Sequence, residues 1–340
     1  MQRLLEAEPC ELPGAAVSVI AYSEFNTLTD CERKWAYRYV LNEPEPASRA
    51  MSLGTLCHRW HENWLLGHGA VLSETWTETR APDGTQCDPV TVSLSDFDPE
   101  LLMRATWLAG RFVEFYGPQP PSYWNVIGTE SYMEREFTWG TLVGRSDGWV
   151  DIDGELTLIE LKTYGSRPGP LAFAQVHPQL GCYSLLAEAK YGQRPDNILY
   201  QGIYTYQWKP VKPTQKSKIE EWIGAGATEP MKDLKAAAKM FCENESNWTE
   251  RPAAESFDQL EVELGDHHLR TTQQYLGAAL RRRKTLLSGA SLYPENVFED
   301  TLPSVGAHCS YCGFKAQCWM DLGGVEPMEI EVEDDDAEPV

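Results

Sequence analysis

The stretch that most constrains this chain is Thr141–Thr163, TLVGRSDGWVDIDGELTLIELKT. Asp153-Gly154 between two alternating apolar segments is a strong hairpin signal, because a two-residue turn needs residues that tolerate positive φ. With those residues as the loop, Ile152 faces Glu155 and, counting outward, Asp147 falls opposite Glu160. Opposed side chains lie about 5 Å apart on one face of a sheet. Lys162 shares that face with Glu160, since strand side chains alternate with period two. Facing carboxylates destabilise a sheet, and a divalent cation between them turns that cost into a binding site. Lys162 beside it would hold an attacking water or a developing phosphate charge. A solvated hairpin face fits the same spacing, because a one-residue change in the loop shifts the register.

Around this hairpin the pattern alternates between helices and strands. Ser23–Val40 reads as a helix capped by Ser23, with Cys31 set among Arg33, Lys34, Trp35, Tyr37 and Arg38; alone, that cysteine fits a small buried hydrophobe. A second helix, Ser52–Leu66, carries Gly54, His58 and Glu62 at four-residue spacing, and His61 falls out of phase, on the surface. Gly67–Ser95 has the Gly, Pro and Asp-Gly signals of a loop. A helix at Asp98–Tyr116 and a strand between Trp124 and Trp139 lead into the hairpin. After it come a helix at Ala174–Tyr191, with Gln179 and Tyr183 on one face, and a strand at Asn197–Tyr206. Lys209–Lys218 reads as a basic loop, followed by helices at Met231–Cys242 and Gln259–Ser288. The run Arg281–Lys284 suits either a solvated helix end favoured by the dipole or phosphate contact.

Near the C-terminus stands Cys309-x2-Cys312-x5-Cys318, and the other cysteines are scattered. The total of nine is odd, which favours metal or cluster ligation over a disulfide framework. Thiolates at this spacing select zinc or an iron–sulfur cluster; His308 would be a fourth ligand suited to zinc. A net charge of −22 argues against a broadly basic nucleic-acid surface, though not against a basic groove on an acidic body. Part of that charge lies in the tail Glu326–Glu338, whose composition is that of a disordered segment. No apolar run reaches membrane-spanning length and no signal-peptide pattern is present, so the expectation is a cytoplasmic protein.

Asp147 followed by Glu160-Leu161-Lys162 resembles the core of the PD-(D/E)XK nucleases, in particular the RecB-like iron–sulfur branch. Ser146 stands where the superfamily's name has proline. The resemblance spans Ser23–Cys318 in the family's order: Cys31, the Gly54/His58/Glu62 helix, Asp147 with Glu160 and Lys162, Gln179 with Tyr183, and the cysteine triplet. It implies an α/β fold with a restriction-endonuclease-like mixed central sheet flanked by helices. The implied divisions are an N-terminal helical region (1–120), a nuclease core (121–208), a C-terminal helical and cysteine region (209–322) and an acidic tail (323–340). It implies a Mg²⁺- or Mn²⁺-dependent DNA exonuclease of recombination, repair or phage DNA processing, acting on DNA that is single-stranded or has free ends, with a recombination protein as a possible partner. Asp147, Glu160, His58 and the Leu161 carbonyl would hold the metal, with Lys162 catalytic. Gln179 and Tyr183 would contact the DNA backbone or support the site, and Glu62 would stand behind it. Cys31, Cys309, Cys312 and Cys318 would bind a [4Fe–4S] cluster joining the two ends of the chain. The chain carries no G-x(4)-G-K-[ST] helicase loop, which suits a stand-alone nuclease. The rival is a non-catalytic DNA-binding or scaffold protein on the same fold, with zinc at the cysteines.

Overall fold

The computed structural model describes residues 19–46, 48–80, 86–165, 177–205, 212–249, 252–289, 297–301, 304, 309 and 312–322. Its centre is a six-stranded mixed sheet. Strand β4 (Trp124–Phe137) lies antiparallel along one whole edge of β5 (Gly140–Ile152). The other edge of β5 is shared. Short β1 (Val19–Ala21) pairs in parallel with Thr141–Val143, and β6 (Glu155–Tyr164) pairs antiparallel with Gly148–Ile152. Between those two partners, Gly144–Asp147 have no strand on that edge, so the sheet forks there. The Asp153-Gly154 turn forms as expected: both residues have positive φ, and Ile152 faces Glu155.

Beyond the fork β6 continues beside β7 (Asn197–Tyr204) in parallel, and β7 pairs antiparallel with β8 (Phe257–Val262). Parallel neighbours need a long crossover, which contains α5 (Pro178–Tyr191). Two apolar cores cover the sheet. One combines Leu142, Trp149 and Leu158 with Leu185 and Leu186 of α5 and Leu276 and Leu280 of α9 (Asp266–Gly289). The other packs Leu161, Ile203 and Phe257 against Trp60 and Trp64 of α3 (Arg49–Leu65) and Phe112 of α4 (Pro99–Tyr116). The expected mixed α/β architecture is what forms. No helix among the described residues is long and apolar enough to cross a membrane.

Several local expectations change. The N-terminal helix is not continuous: α1 (Tyr22–Asp30) stops at Cys31, which is extended, and α2 (Glu32–Trp35) then runs into a π-turn at Ala36–Val40. Its N-cap is Ala21, not Ser23, because β1 runs straight into the helix. α3 begins earlier than expected, where the Ser48 side chain accepts the Met51 N–H. Within the stretch read as a loop at Gly67–Ser95, β2 (Thr75–Arg80) and β3 (Gln86–Ser93) pair antiparallel, and Trp76 packs on Phe97 at 5.7 Å. Gly67 and Gly69 precede the hairpin, and Pro89 lies within β3. Lys216 and Lys218 are not in a loop; they belong to α6 (Gln215–Gly224), which Thr214 caps, and α7 (Met231–Glu243) follows.

The long helix expected from Gln259 is also divided. Short α8 (Ala253–Ser256) leads into β8, because the open edge of β7 offers a row of hydrogen bonds to a segment without a strong local preference. Short α10 (Val297–Asp300) and α11 (Lys315–Asp321) complete the C-terminal region. Nor is the Arg281–Lys284 run a uniform solvated end or phosphate row. Arg282 grips Glu32 through two hydrogen bonds of 2.6 and 2.8 Å, and Arg283 donates to Glu24 at 2.6 Å. His308, Lys209, residues 174–176 and the acidic tail lie outside the described residues.

Candidate active site

The fork brings Asp147 to the centre of a polar cluster. At the point where the β5–β6 ladder ends, Leu161 donates its backbone N–H to Asp147 Oδ2 at 2.7 Å. Asp147 Oδ1 meets His58 Nδ1 of α3 at 2.9 Å. Two close approaches allow α3 to come this near. A Cβ on Gly148 would lie 2.7 Å from Leu65 Cδ1, and one on Gly54 would lie 3.2 Å from Thr163 Oγ1. The Gly54 of the helix motif therefore seats α3 against the end of β6.

Strand β5 changes sides at this point. A Cβ on Gly144 would meet Leu186 and Tyr183 of α5, whereas one on Gly148 would meet Leu65 of α3. A regular strand would turn both residues to the same face. Across the ladder stands Glu130 of β4, between the pairs Thr129↔Gly148 and Ser131↔Ser146, with φ +46°. Left-handed backbone at a non-glycine residue costs about 1–3 kcal/mol and persists where surrounding structure imposes it. Here it accompanies a carboxylate aimed at the fork. Ligand atoms of His58, Glu130 and Asp147 all lie within 4.8 Å of one another.

Glu130 is the residue the sequence reading missed. Its only signal was a carboxylate in the strand before the hairpin, and locating it needed the β4–β5 register, which slips at Val126/Gly128. Glu160 stands slightly apart from this trio. It is 1% exposed; Lys162 Nζ lies 2.8 Å from its Oε1, and Gln179 donates to the same oxygen at 2.7 Å. Its other oxygen, Oε2, is buried with no hydrogen-bond partner among the described residues. Gln179 also donates to the Tyr183 hydroxyl at 3.0 Å; both side chains are buried and turn toward Glu160. Leu161 has a fully buried side chain and offers the fork its backbone.

Electrostatics separate the two carboxylates. Burial alone would raise Asp147, but the charge and hydrogen bond of His58, with Lys162 and the Leu161 N–H, hold it well below the usual carboxylate range. Burial raises Glu160, and Lys162 only partly opposes that shift. Lys162 is raised: burial works against its charge, and Glu160 and Asp147 overcome it. His58 is raised as well, because Asp147 outweighs the effect of burial. Two groups brace the cluster from α3. Glu62 accepts from Arg59 at 2.7 Å and from Thr129 at 3.4 Å, beside Glu130. His61, expected at the surface, is instead 1% exposed and paired with Gln201 at 2.9 Å. α3 is covered by the sheet and by α4 together, so its buried arc is wider than a single stripe. Burial pushes His61 down to about 4.

Four cysteines lie in the N- and C-terminal segments. Cys31 is buried at the extended break between α1 and α2, and Cys318 lies on α11. Burial raises the Cys318 thiol; Arg33 opposes this, and Cys31 and Cys309 add to it. Cys31 likewise adds to the burial that raises Cys312. Among the described residues the four thiols are not drawn together to ligand spacing, as His58, Glu130 and Asp147 are; the Cys309 thiol lies 3.7 Å from the Ser304 carbonyl.

The sequence model of the PD-(D/E)XK nuclease superfamily matches residues 19–319. No curated protein matches the chain. Among solved structures it is similar to a candidate exonuclease from Eubacterium rectale, with 10% identity over 78% of this chain and 79% of the other and a TM-score of 0.42. It is also similar to the protein SSO0001, with 13% identity over 92% and 91% of the two chains and a TM-score of 0.37. With a family match over most of its length, this chain belongs to the PD-(D/E)XK nuclease superfamily.

Proposed function

We propose that the protein is a divalent-metal-dependent deoxyribonuclease that hydrolyses phosphodiester bonds as an exonuclease, in DNA recombination, repair or phage DNA processing. The observation that carries this reading is the convergence of His58, Glu130 and Asp147 within 4.8 Å, beside the Glu160–Lys162 pair at 2.8 Å. An imidazole with carboxylates suits Mn²⁺ as well as Mg²⁺. The unpartnered Glu160 Oε2 and the strained Glu130 backbone fit a site that expects a cation. His58, Glu130 and Asp147 would hold the ion, with Glu160 and the Leu161 carbonyl available to complete its oxygen ligands. When bound, such an ion polarises the phosphate and lowers the pKa of a water.

The chain's own groups do the rest. Lys162 stays an ammonium, because Glu160 and Asp147 hold its proton on; it donates to the attacking water and offsets charge on phosphorus and is not a base. Burial raises Glu160 while no ion is present, and a cation beside it would favour its charged, ligating form. Gln179 fixes the orientation of Glu160, and Tyr183 fixes Gln179. At the chain ends, Cys31, Cys309, Cys312 and Cys318 would hold a [4Fe–4S] cluster, with zinc as the alternative, and binding would have to draw the thiols together. Absorption near 400 nm in the purified protein separates the two metals.

The deciding assay uses end-labelled DNA. Degradation with Mn²⁺ or Mg²⁺, its loss in EDTA, and its loss in a folded Lys162→Ala variant by about 10³-fold are expected. Near-normal digestion by Lys162→Ala would remove the assigned role.

A further inference from the structure

A cleft of about 330 Å³ lies away from the fork, lined by Trp139, Arg270, Gln273, Gln274, Gly277 and Arg281. Its helical side is a single stripe of α9, since positions 270, 273/274, 277 and 281 recur at helical spacing. Its other side is the turn between β4 and β5. Trp139 is held rigid there: its ring stacks on Phe137 at 4.3 Å and 7°, and the Arg135 guanidinium lies 4.9 Å from the Phe137 ring centre. Arg270 and Arg281 are exposed and form no ion pair among the described residues, on a chain of net charge −22. Their neighbours Arg282 and Arg283 are committed to Glu32 and Glu24. The basic run is thus divided, with two arginines tying α9 to the N-terminal helices and Arg281 left for the cleft.

We propose that this cleft is a second binding subsite for single-stranded DNA, with phosphates on Arg270 and Arg281, base edges at Gln273 and Gln274, and base contact on Trp139. Arginine forks match phosphate oxygens. An ordered aromatic with flanking cations is the combination that binds single strands without sequence preference. The volume is at the small end of ligand-sized clefts, room for a single unpaired base. Eleven residues of helix separate the arginines by about 16 Å, so they reach phosphates several nucleotides apart. Gly140 to Asp147 spans about 24 Å of strand. Only a strand long enough to cover that distance engages both the cleft and the fork. The inference rests on the nuclease reading for its substrate and extends it to single strands.

The test measures binding of fluorescent oligothymidylate in a Lys162→Ala background, which keeps the strand intact. Trp139→Ala is expected to weaken binding about 5- to 100-fold, and Trp139→Phe to restore most of it. Arg270→Gln with Arg281→Gln is expected to reduce the log–log salt slope by about 1.4, at roughly 0.7 per phosphate on a single strand. In the otherwise wild-type enzyme these arginine changes raise KM for strands of about 20 nucleotides and leave that for trinucleotides unchanged, since only the former reach both sites. The two arginines are exposed, so their removal leaves folding intact. Unchanged affinity and salt slope in the arginine and Trp139→Ala variants would overturn the proposal. If the wild-type protein cleaves no DNA while these variants still lose strand binding, the nuclease reading fails and the cleft assignment stands.

Discussion

The acidic fork and the cysteine end both gather side chains from distant stretches of sequence, but by different means. At the fork the backbone does the positioning. Register with β5 sets Glu130, the end of the β5–β6 ladder sets Asp147 and Glu160, and α3 is pinned by a buried cluster of Trp60, Trp64 and Phe112. At the cysteine end no strand takes part among the described residues. Short helices are joined by side chains: Tyr37 stacks on Phe314 at 5.2 Å and donates to Asp321, Gln317 donates to Glu43 at 3.0 Å, and Lys34 and Arg38 both grip Glu45. A site built by sheet register is organised before its ligand arrives. One built from short helices and ion pairs gains much of its order from the ligand.

That contrast can be broken by experiment. The largest effect is expected from Cys31→Ser, which should lose the metal proposed at the chain ends and cost several kcal/mol of stability, seen as a drop in melting temperature and bleaching of any visible absorption. Asp147→Ala should lower the melting temperature by less than Cys31→Ser, because it forfeits only the contacts to His58 and the Leu161 N–H within a framework the sheet already holds. Equal destabilisation by the two substitutions would erase the distinction.

Acid should probe the support of the fork. His61 is depressed to about 4 by burial, against about 6.5 in an unfolded chain. The unfolded state therefore binds the proton first, so this stabilisation is complete above about pH 6.5 and is lost as pH falls toward 4. The loss is on the order of 3 kcal/mol. Urea midpoints measured from pH 7 to 4.5 should show it, with a shallower dependence in His61→Gln; parallel profiles would show that another group carries the acid sensitivity.

The smallest effect sharpens the assignment of a single ligand. Glu130→Gln keeps shape and removes charge, and it should weaken Mn²⁺ binding about 10- to 100-fold with an unchanged melting temperature. Calorimetric titration with Mn²⁺ reads this directly, and wild-type affinity would take Glu130 out of the ligand set.

Much of the fork was legible because it is local. The Asp153-Gly154 turn fixes where Ile152 meets Glu155, and that register runs out to Gly148 opposite Ile159, one residue short of the expected Asp147–Glu160 pair, which the fork leaves unpaired. The i to i+4 spacing of Gln179 and Tyr183 likewise predicted a shared face, and the structure links them by a hydrogen bond of 3.0 Å. His61 was misplaced because one helix seen alone shows one apolar stripe, whereas α3 is covered by two layers. β8 was misread because Gln259–Leu264 has no strong local preference, and an open sheet edge decided for it.

By itself, then, the sequence determined the hairpin, the order of the motifs and the identities of the polar groups, since turn chemistry and side-chain periodicity act over a few residues. Only the tertiary structure decided that β5 forks and changes sides at Asp147, that Glu130 is forced into left-handed backbone to join it, and that Arg281 faces a cleft while Arg282 and Arg283 turn inward. Those outcomes depend on which surfaces meet across the sheet, and such contacts between residues far apart in the chain leave no local pattern to read.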